Sequence, residues 1–186
     1  MTTKYVLCGG AAHIPDPRND NFYREILKDT PSEVNILVVL FAKEGEKIVI
    51  NHEEDQAQFN RVKDDKILNF KIADKSSFLE QISWAGVIFS HGGSPQIQLP
   101  IYKTFSKVEL QDAFKGRVVA GDSAGIYFLA DYVYSNFQNQ LYRGLGLLPI
   151  KLICHYTEGV EKHIDAVPAD LEEVLLKEYQ YKIITN

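Results

Sequence analysis

Seven short apolar runs recur along the chain, and most of them are continuous rather than alternating in polarity. A strand with one face in water alternates apolar and polar residues, whereas a strand buried on both faces is apolar throughout. Continuous runs are therefore typical of a parallel sheet covered by helices. The runs are residues 5–8, 34–40, 67–72, 86–90, 117–121, 150–154 and 181–185.

The segments between these runs have the spacing of amphipathic helices. The helical candidates are residues 20–28, 53–63, 77–82, 95–105, 124–134 and 169–179. Ser77 followed by Glu80 has the spacing of a capping box, and Ser94 followed by Pro95 is typical of an N-cap and a first helical position. Strand and helix therefore alternate, which predicts an α/β fold: a doubly wound, mostly parallel sheet with helices on both faces.

The size and composition of the chain fit a single globular domain. A length of 186 residues is that of one ordinary domain, and a hydrophobic content of 45% is enough to fill a sizeable core. No internal repeat or linker rich in Pro, Gly or Ser interrupts the pattern. We therefore predict one domain that spans residues 1–186.

Charge and hydropathy exclude several classes of function. The formal net charge is −5 and no basic run occurs, so the sequence offers no surface for nucleic acid. Apolar stretches fall short of a membrane span, and residues 1–5 lead directly into a strand without a signal peptide. Cys8 and Cys154 each lie in an apolar run, which favours buried, reduced thiols over a disulfide. We expect a cytoplasmic protein that binds neither membrane nor nucleic acid, with a monomer and a homodimer both open.

The most informative motif is Gly-x-Ser-x-Gly, formed by residues 121–125 directly after an apolar strand. In a nucleophile elbow the serine occupies a strained turn that lifts its hydroxyl out of the sheet, and small neighbours let the backbone pass closely. Gly121, Ala124 and Gly125 meet that requirement, which makes Ser123 the candidate nucleophile. The N–H of Ala124 would then form half of an oxyanion hole. The alternative is an ordinary glycine-containing turn.

A second glycine turn follows the preceding predicted strand. Parallel strands place the turns at their carboxyl ends along one edge of the sheet, where ligands bind. The N–H of Gly92 or of Gly93 would therefore supply the second oxyanion donor. The alternative is a tight turn that needs only the backbone freedom of glycine.

A serine nucleophile needs a base to accept its proton, and one histidine is well placed. His155 ends the apolar run of residues 150–154 and would project from the carboxyl end of that strand. His52 and His163 lie in polar stretches, and His13 lies in a loop that contains prolines. His155 is the candidate base, the alternative being a hydrogen-bonded structural residue.

These motifs resemble the dipeptidase E and cyanophycinase group of serine peptidases. The matching pieces are residues 87–94, residues 120–125, and the Gly-Leu-Gly-Leu-Leu-Pro segment 144–149 that leads to His155. They occur in the family's order and cover residues 84–156. The resemblance implies the class I glutamine amidotransferase-like fold, a flavodoxin-like three-layer sandwich. It also implies that Ser123 is the nucleophile, His155 the base, and an acid between them the group that orients the base.

The acid is where the sequence departs from the family. Residues 135–140 contain no carboxylate, and the acid that does lie between the two residues, Asp131, falls inside the predicted elbow helix. The remaining candidates for an orienting group are Asn136, Asn139 and Glu158. An amide can orient a neutral histidine but cannot stabilise the imidazolium as a carboxylate does.

The leading functional hypothesis is a serine hydrolase, a small exopeptidase that cleaves dipeptides or short peptides. Its acyl-enzyme chemistry needs no metal or organic cofactor. The runner-up is a noncatalytic or weakly active binding protein that keeps the fold and lacks the acid. An esterase of the α/β-hydrolase type is disfavoured by the short interval between Ser123 and His155. The glycines after Cys8 lack the spacing of a phosphate-binding loop, so we interpret them as a tight turn.

Overall fold

The computed structural model describes residues 2–168 and 170–186. The strands of the described chain are β1 (Lys4–Cys8), β2 (Glu33–Val39), β3 (Ile67–Ile72), β4 (Val87–Ser90), β5 (Val118–Asp122), β6 (Tyr132–Ser135), β7 (Gln140–Arg143), β8 (Ile150–Cys154), β9 (Glu172–Leu176) and β10 (Tyr181–Thr185). The α-helices are α1 (Asp20–Leu27), α2 (Lys47–Val62), α3 (Phe78–Trp84), α4 (Pro95–Tyr102) and α5 (Lys107–Phe114). Short 3-10 helices cover Pro17–Asn19, Ser123–Leu129 and Glu161–Ile164.

Six strands form the larger sheet, in the order β10-β1-β5-β4-β2-β3. All neighbours pair in parallel except β10, which runs antiparallel beside β1. The register places Cys8 opposite Asp122, and Ser90 opposite Gly121. The carboxyl ends of β1, β5 and β4 therefore lie side by side, and the turns that follow them meet at one edge.

Four strands form a smaller sheet, in the order β7-β6-β8-β9. β6, β8 and β9 are parallel, whereas β7 pairs antiparallel with β6 as a hairpin. Cys154 lies opposite Leu176, so the carboxyl ends of β8 and β9 are adjacent. The two sheets meet at their ends, because the N–H of His155 donates to the carbonyl of Gly9 at 2.8 Å.

Side chains that alternate along the central strands fill two apolar clusters, one on each face of the larger sheet. On one face, Val6 and Cys8 of β1 pack in the cluster that contains the buried residues of α1 and α2. On the other face, Tyr5 and Leu7 join the cluster of α3, α4, α5 and the smaller sheet. The predicted doubly wound, mostly parallel α/β fold with helices on both faces is confirmed, with a second sheet that the sequence did not predict.

Two of the predicted helices are wrong. In place of the predicted helix of residues 124–134, the structure has a 3-10 helix over Ser123–Leu129 followed by the strand β6. The alternation of Tyr and Val in β6 suits a pleated strand. Residues 172–176 form β9 rather than a helix, because pairing with β8 buries Val174 and Leu176. Ala169, where that helix was predicted to begin, lies outside the described residues.

The helix α5 was missed, although its sequence carries a start signal. Ser106 accepts a hydrogen bond from the N–H of Glu109, whose side chain accepts from the N–H of Ser106, so the capping box lies here. The capping box predicted at Ser77 does not form: α3 begins directly after Ser77, whose side chain makes no capping hydrogen bond. A capping-box spacing alone therefore did not identify the capped helix.

Both cysteines are free and buried, as predicted. Burial raises the pKa of Cys8 to about 12 and also raises the pKa of Cys154. Neither thiol is therefore ionised near neutral pH. Within the described residues, no helix is both long and apolar enough to cross a membrane.

Candidate active site

Ser123 lies on a sharp turn between β5 and the 3-10 helix that follows. Its φ is +50°, in the left-handed region that non-glycine residues rarely occupy. The turn passes so close to β4 that a Cβ at Gly125 would lie 2.0 Å from the carbonyl oxygen of Ser90, and one at Gly121 would lie 2.3 Å from it. Only glycine fits at these two positions, which explains the Gly-x-Ser-x-Gly spacing.

His155 lies at the carboxyl end of β8 with its ring against Ser123. Its Nε2 is 2.9 Å from the hydroxyl oxygen of Ser123. The backbone of His155 also has a positive φ, of +50°. The ring packs on the turn after β1, where a Cβ at Gly10 would lie 2.1 Å from it. The expectation that Ser123 has an outlying conformation beside His155 is confirmed, while their catalytic roles stay predictions at this point.

Glu178 supplies the carboxylate that the sequence analysis did not find. It follows β9, the neighbour of β8, and its Oε1 lies 3.1 Å from Nδ1 of His155. With a proton on Nδ1, His155 donates to Glu178, and Nε2 is then free to accept the proton of Ser123. The Glu178 side chain is 51% exposed, so solvent weakens this ion pair compared with a buried one.

The three side chains that we considered for orienting His155 lie elsewhere. Asn136 donates to the backbone carbonyl of His155 at 2.7 Å rather than to the ring. Asn139 accepts a hydrogen bond from the hydroxyl of Tyr134. Glu158 makes no hydrogen bond to the ring among the described residues. Asn136 therefore supports the backbone of His155, and the interpretation of all three as ring partners is corrected in favour of Glu178.

The candidate oxyanion donors differ in availability. The N–H of Gly92 donates to Oδ1 of Asp122 at 2.9 Å and is therefore engaged. The N–H of Gly93 has no acceptor among the described residues, and Gly93 lines the same pocket as Ser123. Ala124 lies in the first turn of its 3-10 helix, where N–H groups lack an intrahelical acceptor. Gly93 and Ala124 are thus the better pair of donors.

Asp122, the acid next to the serine, has a structural role. It is buried, with 4% of its surface exposed, and its carboxylate accepts the N–H of Gly92. The hydrogen bond ties the turn after β4 to the end of β5. A hydrogen bond from a backbone N–H therefore stabilises the carboxylate that lies next to Ser123 in the sequence.

Ser123 opens into a pocket of about 370 Å³ that also holds cationic and imidazole groups. Ser123, Gly93 and His155 line it. Lys43 and His91 also line the pocket. This volume is at the small end of the range for ligand sites, which suits a short ligand.

His91 and Asp55 form a buried pair at this pocket. Nδ1 of His91 lies 2.9 Å from both carboxylate oxygens of Asp55, which α2 brings to the carboxyl end of β4. Burial raises the pKa of Asp55 to about 6. Burial also lowers the pKa of His91, but the hydrogen bond and charge of Asp55 outweigh burial, and the net pKa is raised. The pair therefore holds a proton more firmly than the separate groups would in water.

Sequence reasoning missed Glu178 and the pairing of His91 with Asp55. Glu178 follows a strand, and Asp55 lies on the inner face of α2. Both would have been candidates if polar side chains at these two kinds of position had been considered. No group of three or more His, Cys, Asp or Glu side chains in the described part of the chain is arranged to hold a metal ion.

Comparisons with known proteins link the chain to solved structures. No family model matches it, and no curated protein matches it in sequence. A crystal structure of a peptidase from an acI-B1 actinobacterium matches with a TM-score of 0.65 and 18% identity, over 99% of this chain and 84% of the other. A peptidase E-type structure from Listeria monocytogenes EGD-e matches with a TM-score of 0.65 and 14% identity, over 100% of this chain and 98% of the other. The chain therefore has the fold of these two peptidase structures, which is the fold that the resemblance of its motifs implied.

Proposed function

We propose that this protein is a serine peptidase that hydrolyses dipeptides or other short peptides. One observation carries the proposal: Ser123, His155 and Glu178 form a continuous hydrogen-bonded chain, with contacts of 2.9 Å and 3.1 Å, at the wall of a small pocket. This is the geometry of a nucleophile, a base and an orienting acid. The two structural neighbours described as peptidases support the same class of reaction.

The reaction would proceed through an acyl-enzyme. The Ser123 oxygen attacks the peptide carbonyl carbon as Nε2 of His155 takes the hydroxyl proton. The N–H groups of Gly93 and Ala124 stabilise the oxyanion of the tetrahedral intermediate. His155 then protonates the leaving amine, and a water molecule activated by the same ring hydrolyses the ester. Glu178 keeps Nδ1 protonated and stabilises the imidazolium in both steps.

The size of the pocket favours short substrates. A cavity of about 370 Å³ accommodates a short peptide, and a neighbouring cavity of about 700 Å³ shares Phe137, His155 and Glu178 with it. We therefore expect dipeptides and tripeptides to be hydrolysed in preference to folded proteins.

The noncatalytic alternative rested on the missing acid, and the contact of Glu178 with Nδ1 argues against it. Labelling with a fluorophosphonate probe, together with the release of free amine from a panel of dipeptides, tests the proposal. Both signals should appear in the parent protein, disappear in Ser123→Ala, and persist in Ser83→Ala, which removes an exposed serine hydroxyl on α3. A folded parent with neither labelling nor hydrolysis would instead support a binding protein.

A further inference from the structure

Lys43 is a partly buried cation at the wall of the Ser123 pocket. It follows the end of β2, where its N–H donates to the carbonyl of Leu40 at 2.9 Å. Its aliphatic stem packs on the candidate oxyanion turn, because a Cβ at Gly93 would lie 3.1 Å from Cε of Lys43. Burial lowers the pKa of Lys43. The ammonium group is therefore held close to the place where the peptide carbonyl would bind.

The ammonium of Lys43 makes no ion pair or hydrogen bond within 4.0 Å among the described residues, although the nearby charges of Asp122, Asp55 and Glu54 partly offset the effect of burial on its pKa. Three carboxylates lie in or beside the pocket, and each already accepts from another donor: Asp55, Asp122 and Glu178. Burying a cation without a partner costs free energy, which an incoming anion would recover. The pocket is therefore better suited to a negatively charged group than to a neutral one.

His91 offers a second donor to the same pocket. It is 3% exposed, lines the pocket, and binds Asp55 through Nδ1. Its Nε2 has no hydrogen-bond partner among residues 2–168 and 170–186. A protonated ring held by Asp55 presents an N–H at Nε2. His91 thus adds a donor, fixed by a buried partner, to the charge of Lys43.

We propose that Lys43 and His91 form a subsite that binds the free C-terminal carboxylate of the peptide substrate. The inference rests on the proposed function for its substrate. Every dipeptide has a carboxylate one residue beyond the bond that is cut, and consecutive Cα atoms are about 3.8 Å apart. An acidic side chain occurs only in particular peptides, whereas this carboxylate is common to all of them. The subsite makes Lys43 a specificity-determining residue for exopeptidase activity.

The test measures binding separately from hydrolysis. The Ser123→Ala protein is titrated with Ala-Ala and with Ala-Ala-amide, and binding is followed by NMR chemical shifts. We expect Ala-Ala to bind about 10-fold or more tightly than the amide, as a charge-assisted hydrogen bond predicts. Adding Lys43→Met should remove this difference by weakening Ala-Ala alone, and Lys43→Arg should retain it. Adding Asp55→Asn should reduce it by roughly 3-fold, because His91 then holds its proton less firmly.

Lys107→Met is the matched control, since Lys107 is an exposed lysine at the start of α5 and does not line the pocket. It should leave both titrations unchanged, and circular dichroism should show every variant folded. Equal binding of the two peptides, or an undiminished preference in Lys43→Met, overturns the inference. Tighter binding of Asp-Ala-amide than of Asn-Ala-amide, two peptides that both lack the C-terminal carboxylate, would also overturn the inference. It would show that the pocket recognises an acidic side chain instead. A protein that binds as expected but never hydrolyses peptides contradicts the proposed function and leaves the subsite standing.

Discussion

Ser123 and His155 both have a positive φ of +50°, so each of the two residues that meet in the site carries backbone strain. A non-glycine residue in this conformation costs about 1–2 kcal/mol. The strain fixes where the hydroxyl and the ring point, because the direction of each Cβ is set by the turn rather than by side-chain packing alone.

Replacing Ser123 by glycine should relieve this strain. We expect Ser123→Gly to have a free energy of unfolding about 1 kcal/mol higher than Ser123→Ala, since alanine keeps the Cβ that makes the conformation costly. Urea unfolding of the two variants, both of which lack the hydroxyl, measures the difference. Equal stability, or a more stable alanine variant, would show that the turn is not strained.

Glu178 should matter for turnover rather than for folding. In serine proteases, replacing the buried triad acid by its amide costs roughly 10⁴ in turnover. Because the Glu178 side chain is 51% exposed and water can partly replace it, we expect Glu178→Gln to lower kcat by about 10²-fold with little change in KM. The measurement is steady-state dipeptide hydrolysis.

The exposed Glu158 provides the control for this change, because Glu158→Gln removes the same charge three residues after His155 without touching its ring. Full activity in Glu158→Gln beside a large loss in Glu178→Gln is the expected pattern. If the two variants were equally active, Glu178 would not be the orienting acid.

At the scale of elements, α2 and the turn after β4 are joined by the buried contact between Asp55 and His91. The raised pKa of Asp55, about 6 against roughly 3.9 in an unfolded chain, means that the folded state binds more protons between these values. His91, whose pKa is also raised, extends the effect above its unfolded value of about 6.5. The contribution of the pair to stability is therefore fully present below about pH 4 and is lost as the pH rises through 6 and beyond.

Asp55→Asn should remove most of this pH dependence while keeping an acceptor for Nδ1 of His91. We expect the difference in unfolding free energy between parent and variant to shift in favour of the variant by about 1–3 kcal/mol as the pH rises from 4 to 7. Urea unfolding at a series of pH values measures it. A difference that stayed constant, or that moved in favour of the parent, would contradict the direction of these pKa shifts.

The elements also show which parts of the site could be predicted from the sequence. The runs that became β1, β4, β5 and β8 were continuous and apolar, and the turns after β4 and β5 were predicted at one edge because neighbouring parallel strands end together. Ser123 and His155 were paired from their positions at strand ends and from the family resemblance, because the smaller sheet that carries β8 was not predicted.

Glu178 could not be predicted in the same way. It lies 23 residues after His155, at the end of a segment with good helix formers, and its position depends on β9 pairing with β8. Tertiary context overrode the local helical preference there. The sequence did contain one signal, because the alternate residues Val174 and Leu176 are apolar and become buried, as in a strand. Interpreting residues 172–176 as a strand would have placed the next acid, Glu178, at the carboxyl edge of the sheet.

At the scale of the whole molecule, the two sheets share one apolar cluster. Leu152 of β8 and Leu37 of β2 are both fully buried in it. The site uses both sheets as well, since Ser123 follows β5 and His155 follows β8. We therefore propose that the chain unfolds as one cooperative domain, and that loosening either sheet would separate Ser123 from His155.

Truncating Leu152 to alanine should destabilise the whole molecule. We expect a loss of about 2–5 kcal/mol in the free energy of unfolding, in a single transition, with the slowest amides of both sheets exchanging faster by the same factor. Leu37→Ala in the larger sheet is the matched variant and should behave alike. Faster exchange confined to β6–β9 in Leu152→Ala would mean that the smaller sheet unfolds on its own.

The two buried thiols have a practical consequence for labelling the protein. Maleimides and other alkylating reagents attack exposed thiolates, and neither Cys8 nor Cys154 offers one. A single cysteine introduced at Phe137, which is 77% exposed and lies against the ring of His155, would then be the reactive one. A fluorophore attached there would report on the mouth of the pocket without removal of the native cysteines.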